Sequence, residues 1–153
     1  MYDHNLGMNL SSGITVRVIA KEEDRVGYHD GTKSKLEFHP NLDGAGVVPL
    51  PGGGYFYVSN SEKNDGGGVY GVYCDAAGRV AEYKPLLTKT SLNCNGGLTP
   101  WNTWVSCEEQ DLDSAGRYVL SRCWRRRWHF VLLRAEIFAS LLGRPKPRWR
   151  KSQ

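Results

Sequence analysis

Two cysteines and two adjacent glutamates lie within one short segment, residues 93–109, which reads NCNGGLTPWNTWVSCEE. Thiolates are soft ligands that suit transition metals, whereas carboxylates are hard oxygen ligands. The segment also contains Gly96 and Gly97, and glycine lets a backbone approach a metal ion or an anion closely. These residue types indicate either a metal site or a rigid structural corner.

The same residues also have ordinary structural interpretations. A lone cysteine is more often a small buried hydrophobic residue than a ligand, and we expect Cys74 and Cys107 to pack in this way. Trp101 and Trp104 fall on opposite faces of a regular strand, where core packing is their expected role. No C-x-x-C pair is present among the four cysteines, so the sequence does not support a zinc ribbon.

The elements that would position this segment are predicted strands. GYFYVSN, GVYGVYC and RVAEYKPLL are rich in Val, Tyr and Phe, which suit a β-sheet. Glycine turns separate them at intervals of roughly 10–14 residues, a spacing typical of a β-meander. WNTWVSC and RYVL (117–120) are predicted as further strands, and Asp43-Gly44 is predicted as one of the turns.

The N-terminal part gives weaker signals. ITVRVIA (14–20) alternates apolar and polar residues, which predicts a half-buried strand. The polar stretch over residues 21–41 is predicted as a loop. The four histidines are scattered, with no pair at metal-ligand spacing, so we assign them no role. The sequence begins without the basic start and apolar core of a signal peptide and contains no run of 18 apolar residues.

Charge divides the chain near residue 115. Residues 1–114 contain nine Lys and Arg against fifteen Asp and Glu, a net charge of −6. Residues 115–153 contain eleven Lys and Arg against one Glu, a net charge of +10. Within this basic part, residues 128–142 are apolar over most of their length and predict a helix of about four turns.

Three interpretations of residues 115–153 stay open. Interleaved Arg and Trp are typical of segments that bind nucleic acid. A basic amphipathic helix is typical of segments that bind an acidic membrane surface. The third interpretation is an aberrant gene model, through a frameshift or a retained intron, because the charge pattern changes abruptly.

The run N-C-x-G-G-x-T-P-W-x-T-W-x-x-C-E-E resembles the signature of the PhoX-type alkaline phosphatase family. The preceding stretches NLDGAGVVPLPGGGYFYVSNSE and GGGVYGVYCDAAGRVAEYKPLLTKTSLNC are also similar to that family, so that the resemblance covers residues 36–113. It implies a β-propeller with metals at the mouth of its central channel. It also implies a phosphomonoesterase that uses calcium and iron, in a family whose members are often exported.

The resemblance also implies a set of metal-site residues. It makes Cys94 an iron ligand and adds Asn60, Glu62, Glu108 and Glu109 as candidate metal ligands. Because Glu108 and Glu109 are adjacent on a strand, at most one of them is expected to face the channel. Their carboxylates suit calcium, and the metals would neutralise a phosphoryl group and activate a nucleophile.

Together these observations predict an all-β chain. Residues 1–114 are expected to form a partial β-propeller of two to three blades, since a blade takes roughly 40–45 residues and a closed propeller has typically 4–8 blades. The predicted function is a fragment or remnant of a PhoX-like, calcium- and iron-dependent phosphomonoesterase acting on phosphate esters. The alternative is a non-catalytic binding module whose basic tail engages acidic lipid or nucleic acid.

Overall fold

The structure is a computed structural model that describes residues 2–100, 102–112, 118–120 and 128–131, with side chains described up to residue 109. Every helix or strand that it contains in these ranges is a β-strand, which confirms the all-β prediction. Within the same ranges, no helix is long and apolar enough to cross a membrane. None of the described sheets closes on itself, so the partial propeller stays a prediction.

Two short hairpins begin the chain. Strands β1 (Tyr2–Asp3) and β2 (Met8–Asn9) form the first, and β3 (Arg25–Gly27) and β4 (Lys33–Glu37) form the second. The second hairpin lies within the stretch that was predicted as a loop, so that prediction is wrong there. Its polar sequence conceals one buried apolar residue, Val26, whose backbone N–H donates a 2.9 Å hydrogen bond to the hydroxyl of Ser34 on the facing strand.

The central sheet is a four-stranded antiparallel meander. It consists of β5 (Leu42–Pro49), β6 (Tyr55–Ser61), β7 (Gly67–Cys74) and β8 (Val80–Thr90), in that order. The last three confirm the strands predicted from the Val- and Tyr-rich segments. The turn between β5 and β6 uses Gly52 and Gly53 at φ 95° and 93°, which only glycine adopts without a steric penalty.

A second sheet follows along the chain. Strands β9 (Asn93–Leu98) and β10 (Trp104–Glu108) pair antiparallel, and a separate hairpin follows from β11 (Gln110–Leu112) and β12 (Tyr118–Leu120). The strands predicted from WNTWVSC and RYVL are thereby confirmed. Strand β13 (Trp128–Val131) then adds to the other edge of β10, giving the order β13-β10-β9.

The helix predicted over residues 128–142 is wrong where the structure describes it. Residues 128–131 form β13 instead, with Val131 opposite Trp104 and Trp128 opposite Cys107. The aromatic and β-branched residues of this stretch suit a strand, and the free edge of β10 supplies the hydrogen-bonding partner. Residues 132–142 and most of the basic tail lie outside the described residues, so their predicted partners and the domain boundary at 115 stay predictions.

The strand predicted over residues 14–20 is also wrong. The structure assigns no strand to this stretch, and the side chains of Ile14, Val16 and Val18 are all exposed. A strand needs a neighbouring backbone as well as an alternating sequence, and no described strand pairs with these residues. Only Ile19 and Ala20, at the end of the stretch, pack against a hydrophobic core.

Each face of the central sheet carries a buried hydrophobic core. On one face, Val48, Phe56, Val58 and Val69 pack around Trp104 of β10. On the other face, the sheet packs against β3 and the residues that follow β4; the buried side chains of this second core are Val26, Phe38, Val72, Cys74, Val80 and Tyr83. Because side chains alternate along a strand, neighbouring residues of β6 belong to different cores.

Candidate metal centre

Asp43 lies in a β-bulge of strand β5. Leu42 is opposite Ser61 of β6, whereas Ala45 is opposite Ser59, so β5 contains one residue more than its partner between these two pairs. The Asp43-Gly44 pair was predicted as a turn, and that prediction is wrong because the pair lies inside the strand. A bulge redirects side chains away from the regular alternation and is common beside active sites.

Cys94 lies in a second β-bulge, in strand β9. Gly96 is opposite Ser106 of β10, whereas Asn93 is opposite Glu108, so the extra residue falls here on β9, between Asn93 and Gly96. The segment that drew attention in the sequence is therefore an irregular strand. Its irregularity coincides with the cysteine that the family resemblance implies as a metal ligand.

Gly44 brings the two bulges into direct backbone contact. A Cβ atom at Gly44 would lie 2.9 Å from the carbonyl oxygen of Cys94 and 3.0 Å from the backbone nitrogen of Gly96. Contacts this short with backbone atoms are not relieved by a side-chain rotation. Glycine is therefore required at position 44 for β5 and β9 to approach this closely.

The two bulges and the end of β6 bring three possible metal ligands together. A carboxylate oxygen of Asp43, a carboxylate oxygen of Glu62 and the sulfur of Cys94 all lie within 4.8 Å of one another. Glu62 directly follows β6, and its backbone N–H donates a 2.8 Å hydrogen bond to the carbonyl of Asn41. Asp43 is exposed, Glu62 is half-buried and Cys94 is buried, so the cluster is open to solvent on one side.

This cluster fits a bound cation. Metal–ligand bonds of about 2.0–2.6 Å allow two ligands of one ion to lie up to about 5 Å apart, and the three donor atoms meet that limit. One soft sulfur with two hard oxygens suits a transition metal such as iron better than calcium, which prefers oxygen ligands alone. The residues present therefore fit an iron-type site, with room for further ligands on the exposed side.

The electrostatics of the cluster also favour a cation. Partial burial raises the pKa of Glu62, and the neighbouring carboxylates of Asp43 and Glu109 and a hydrogen bond shared with Asp43 raise it further. Like charges held close together disfavour ionisation of each other. A bound cation would remove this repulsion and favour the ionised carboxylates.

Glu108 and Glu109 have different surroundings. The backbone N–H of Ser91 donates a 2.6 Å hydrogen bond to a carboxylate oxygen of Glu108. The carboxylate of Glu109 lies close enough to Glu62 to raise its pKa. Glu109 therefore lies beside the cluster, and the roles of both glutamates as ligands stay predictions.

Asn60 contacts the bulge that carries Cys94, and both polar atoms of its side chain make hydrogen bonds. The residue is fully buried on β6, and its amide nitrogen donates hydrogen bonds of 3.3 and 2.9 Å to the carbonyls of Cys94 and Asn95. Its amide oxygen accepts hydrogen bonds of 2.9 Å from the indole N–H of Trp104 and 3.0 Å from the hydroxyl of Ser106. The side chain of Asn60 therefore contacts the backbone of the bulge that carries Cys94, and its role as a ligand stays a prediction.

A buried polar network continues from Asn60 across the second sheet. The side-chain amide of Asn93 donates a 2.9 Å hydrogen bond to Ser106, and its oxygen accepts one from the hydroxyl of Thr90. All of these side chains are buried. The network therefore joins β6, β8, β9 and β10 beneath the bulge that carries Cys94.

Asp43 is the residue of the cluster that sequence reasoning assigned elsewhere. It was read as a turn former because aspartate before glycine is typical of turns. The same pair occurs in bulges, and the only sequence signal for a site was an acidic residue beside a glycine. Its distance to Cys94 depends on long-range packing that no local pattern reveals.

The packing roles predicted for the other residues are confirmed where they can be observed. Cys74 and Cys107 are buried, at 0% and 4% exposure, and Cys74 belongs to a hydrophobic core. Trp104 is 1% exposed within the other core, and Trp101 lies outside the described residues. No disulfide joins Cys74, Cys94 or Cys107 to another cysteine of the described part.

A second buried polar cluster, around His39, lies on the opposite face of β6. Nε2 of His39 lies 2.8 Å from the hydroxyl of Ser59, and Nδ1 lies 3.2 Å from the hydroxyl of Tyr83. The ring stacks on Tyr70 at 4.4 Å between centroids. Burial lowers the pKa of His39 to about 4. Sequence reasoning gave the histidines no role, and here one of them is a neutral core residue.

The comparison with protein families agrees with the resemblance. A family model described as Alkaline phosphatase PhoX matches residues 76–128, about a third of the 153-residue chain. The match confirms the predicted resemblance over residues 76–113, extends it to residue 128, and indicates a phosphatase-like relationship, whereas residues 36–75 lie outside it. It includes Cys94, Glu108 and Glu109, whereas Asp43 and Glu62 precede it. No curated protein and no solved structure matches the chain.

Proposed function

We propose that this chain, which matches the alkaline phosphatase PhoX family over residues 76–128, carries the metal centre of a phosphomonoesterase. The observation that carries the proposal is the convergence of Asp43, Glu62 and Cys94 within 4.8 Å. Two of these residues lie outside the range matched by the family model, so the cluster is evidence independent of that match.

The proposed roles follow from the chemistry of the side chains. Cys94 provides the soft ligand for an iron ion, and Asp43 and Glu62 provide hard oxygen ligands. Glu109, beside Glu62, is proposed as a further oxygen ligand for iron or for a neighbouring calcium ion. When bound, such metals neutralise phosphoryl oxygens and lower the pKa of a bound water. The substrate class is accordingly a phosphate monoester.

The protein itself contributes orientation and charge. The two bulges place the carboxylate of Asp43 on β5 and the thiol of Cys94 on β9, and Gly44 permits the close approach of these two strands. The exposed side of the cluster at Asp43 is where a phosphate ester would enter. Phosphoryl transfer depends mainly on positioning and charge stabilisation, which a cluster held between two packed sheets would supply.

We further propose that the central sheet is a propeller blade. Burial of both faces supports this, because each blade of a propeller packs between two neighbours. Strand β5 packs beside β9, so the first strands of two successive sheets are neighbours, as are the innermost strands of adjacent blades. The metal cluster lies along this contact.

The test of the proposed function measures both metal binding and phosphate release. The purified chain is titrated with Fe²⁺ and with Ca²⁺ by calorimetry, and phosphate release from an aryl phosphate is then followed with and without a chelator. We expect one tightly bound Fe²⁺, chelator-sensitive activity, and loss of both in Cys94→Ser.

Cys107→Ser is the matched control, because Cys107 is a buried cysteine on the neighbouring strand that does not belong to the cluster. It should retain iron binding. A folded protein that binds no Fe²⁺, or that binds it equally well in Cys94→Ser, contradicts the metal site. Iron binding without phosphate release would leave the site intact and contradict the phosphatase activity.

A further inference from the structure

We infer that Asn60 is a positioning residue that fixes the bulge carrying Cys94, and that it acts on the metal through this bulge without being a ligand. The inference rests on the proposed metal centre and deepens it, since it names what holds the thiol in place. It also revises the expectation from the family resemblance, in which Asn60 was a candidate ligand.

The hydrogen bonds of Asn60 determine how its amide is oriented. An indole N–H can only donate, so the atom of Asn60 that lies 2.9 Å from Nε1 of Trp104 must be the amide oxygen. The amide nitrogen therefore faces the carbonyls of Cys94 and Asn95. The orientation is set by chemistry and does not depend on telling oxygen from nitrogen by position.

The same hydrogen bonds explain why Asn60 is not a ligand. An amide oxygen has two lone pairs, and Trp104 and Ser106 donate to both of them. Binding a metal through this oxygen would require breaking at least one buried hydrogen bond, which is costly in a site without solvent. The amide nitrogen is a donor and does not bind cations.

Both carbonyls that Asn60 binds belong to residues of the bulge, between the pairs Asn93–Glu108 and Gly96–Ser106. The extra residue in β9 disrupts its ladder with β10 at this point, so hydrogen bonds from another strand can fix the local backbone. Asn60 supplies one donor to each of two consecutive carbonyls, at Cys94 and Asn95. Two contacts to successive peptide groups fix the rotation of the backbone at Cys94, and this rotation sets where its sulfur points.

Asn60 therefore resembles the outer residues that orient metal ligands in other metalloproteins. Loss of such a residue typically lowers metal affinity by about 10–100-fold while every ligand remains present. Loss of a merely structural residue on the same strand destabilises the fold without changing the affinity of the folded protein. Ser59 offers that comparison, because it is equally buried, adjacent in sequence, and bonded to His39 on the opposite face.

The experiment compares Asn60→Ala with Ser59→Ala in the full chain. Co²⁺, which binds the same kinds of ligands as Fe²⁺, is the probe, and its absorption reports thiolate binding. We expect Asn60→Ala to weaken Co²⁺ binding by about 10–100-fold and Ser59→Ala to leave it within about twofold of the wild type. Equal affinity in Asn60→Ala and the wild type would overturn the inference.

A second readout does not depend on the metal. Cys94 is only 8% exposed, so its alkylation by iodoacetamide requires local opening of the bulge. Peptide mapping should show alkylation of Cys94 about tenfold faster in Asn60→Ala and unchanged in Ser59→Ala. If the wild type binds no Co²⁺, the proposed function fails, and this rate still decides the inference. An unchanged rate would overturn it.

If Asn60→Ala does not fold, Asn60→Asp replaces it, because aspartate keeps the volume and an acceptor for Trp104 and Ser106 but offers at most one donor to the two carbonyls. The same changes are expected and the same outcomes overturn the inference. If neither variant folds, hydrogen exchange of the side-chain amide is measured in the wild type. Slow exchange of both Asn60 hydrogens supports the inference, and exchange as fast as at the exposed Asn102 overturns it.

Discussion

Ser59 and Asn60 are neighbours on strand β6, and the two buried polar networks to which they belong have opposite properties. Ser59 faces His39 and Tyr83 in a cluster enclosed by aromatic rings. Asn60 faces the bulge of Cys94, beyond which lie the carboxylates of Asp43 and Glu62. The difference shows that buried polar groups on the two faces of one strand can have different roles. One face stabilises a core, and the other positions a site.

The two networks also differ in charge and in the groups that satisfy them. The His39 network is satisfied by hydroxyl groups and stays uncharged, since burial lowers the pKa of the imidazole to about 4. The carboxylates beyond Asn60 repel one another and need a cation to be fully stabilised. The stability contributed by the first network should therefore depend on pH, and the stability contributed by the second should depend on bound metal.

The largest effect is expected from acid on the His39 network. The folded-state pKa of about 4 lies below the ordinary value of 6.5, so the unfolded chain takes up a proton first as the pH falls. Stability contributed by the neutral imidazole is complete above about pH 6.5 and is lost progressively towards pH 4, by about 3 kcal/mol in total. Denaturant unfolding at several pH values between 7 and 4.5 measures this slope.

Two variants isolate the contribution of His39. His39→Phe should be less stable than the wild type at pH 7 but should lose most of the slope between pH 6.5 and 5, where few carboxylates titrate. His29→Gln, which changes an exposed histidine, should leave the slope unchanged. A wild-type slope that survives in His39→Phe would contradict the assignment of a buried neutral imidazole.

A somewhat smaller effect is expected where the bulges meet. Gly44→Ala places a methyl group against the backbone of Cys94 and Gly96, so β5 and β9 must separate. We expect a loss of about 2 kcal/mol in unfolding free energy, typical of overpacking, and weaker metal binding. Gly97→Ala is the control, because a Cβ there meets nothing within 4 Å. Equal losses in both variants would mean that the close approach at Gly44 has no energetic importance.

The smallest expected effect is a difference in unfolding free energy between alanine variants of Ser106 and Ser59, one serine from each network. Ser106 donates to Asn60 and accepts from Asn93, whereas Ser59 makes one side-chain hydrogen bond, with His39. Removing Ser106 leaves more buried groups without a partner, so Ser106→Ala should cost about 2 kcal/mol and Ser59→Ala about 1 kcal/mol. Thermal or denaturant unfolding at pH 7 measures both. The reverse order would show that the network beneath Cys94 is the looser one.

Much of the sheet structure was predictable because Val- and Tyr-rich segments separated by glycine turns have a strong local signature. The wrong strand and helix predictions have a common cause: whether a segment forms a strand depends on a pairing strand that is distant along the chain. Residues 14–20 have the alternation of a strand but pair with no described strand. Residues 128–142 are apolar over most of their length, as in a buried helix, yet residues 128–131 form β13 on the edge of β10.

The site was predictable in part. The family resemblance drew attention to Cys94 and Glu62, which the structure brings together. It did not separate a possible ligand from a residue that positions one, because Asn60 and Glu62 belong to the same short motif. Asp43 was missed because a bulge and a turn use the same residue types, and only the register with β6 distinguishes them.

The most direct test of the account is X-ray absorption spectroscopy of the iron-loaded protein. We expect a sulfur neighbour at about 2.3 Å from the metal together with oxygen neighbours, in the wild type and in Cys107→Ser. Cys94→Ser should give no iron–sulfur signal, because it is expected to lose the tightly bound iron. An iron environment of oxygen and nitrogen alone in the wild type, or a sulfur that remains in Cys94→Ser, would contradict the metal centre at the two bulges.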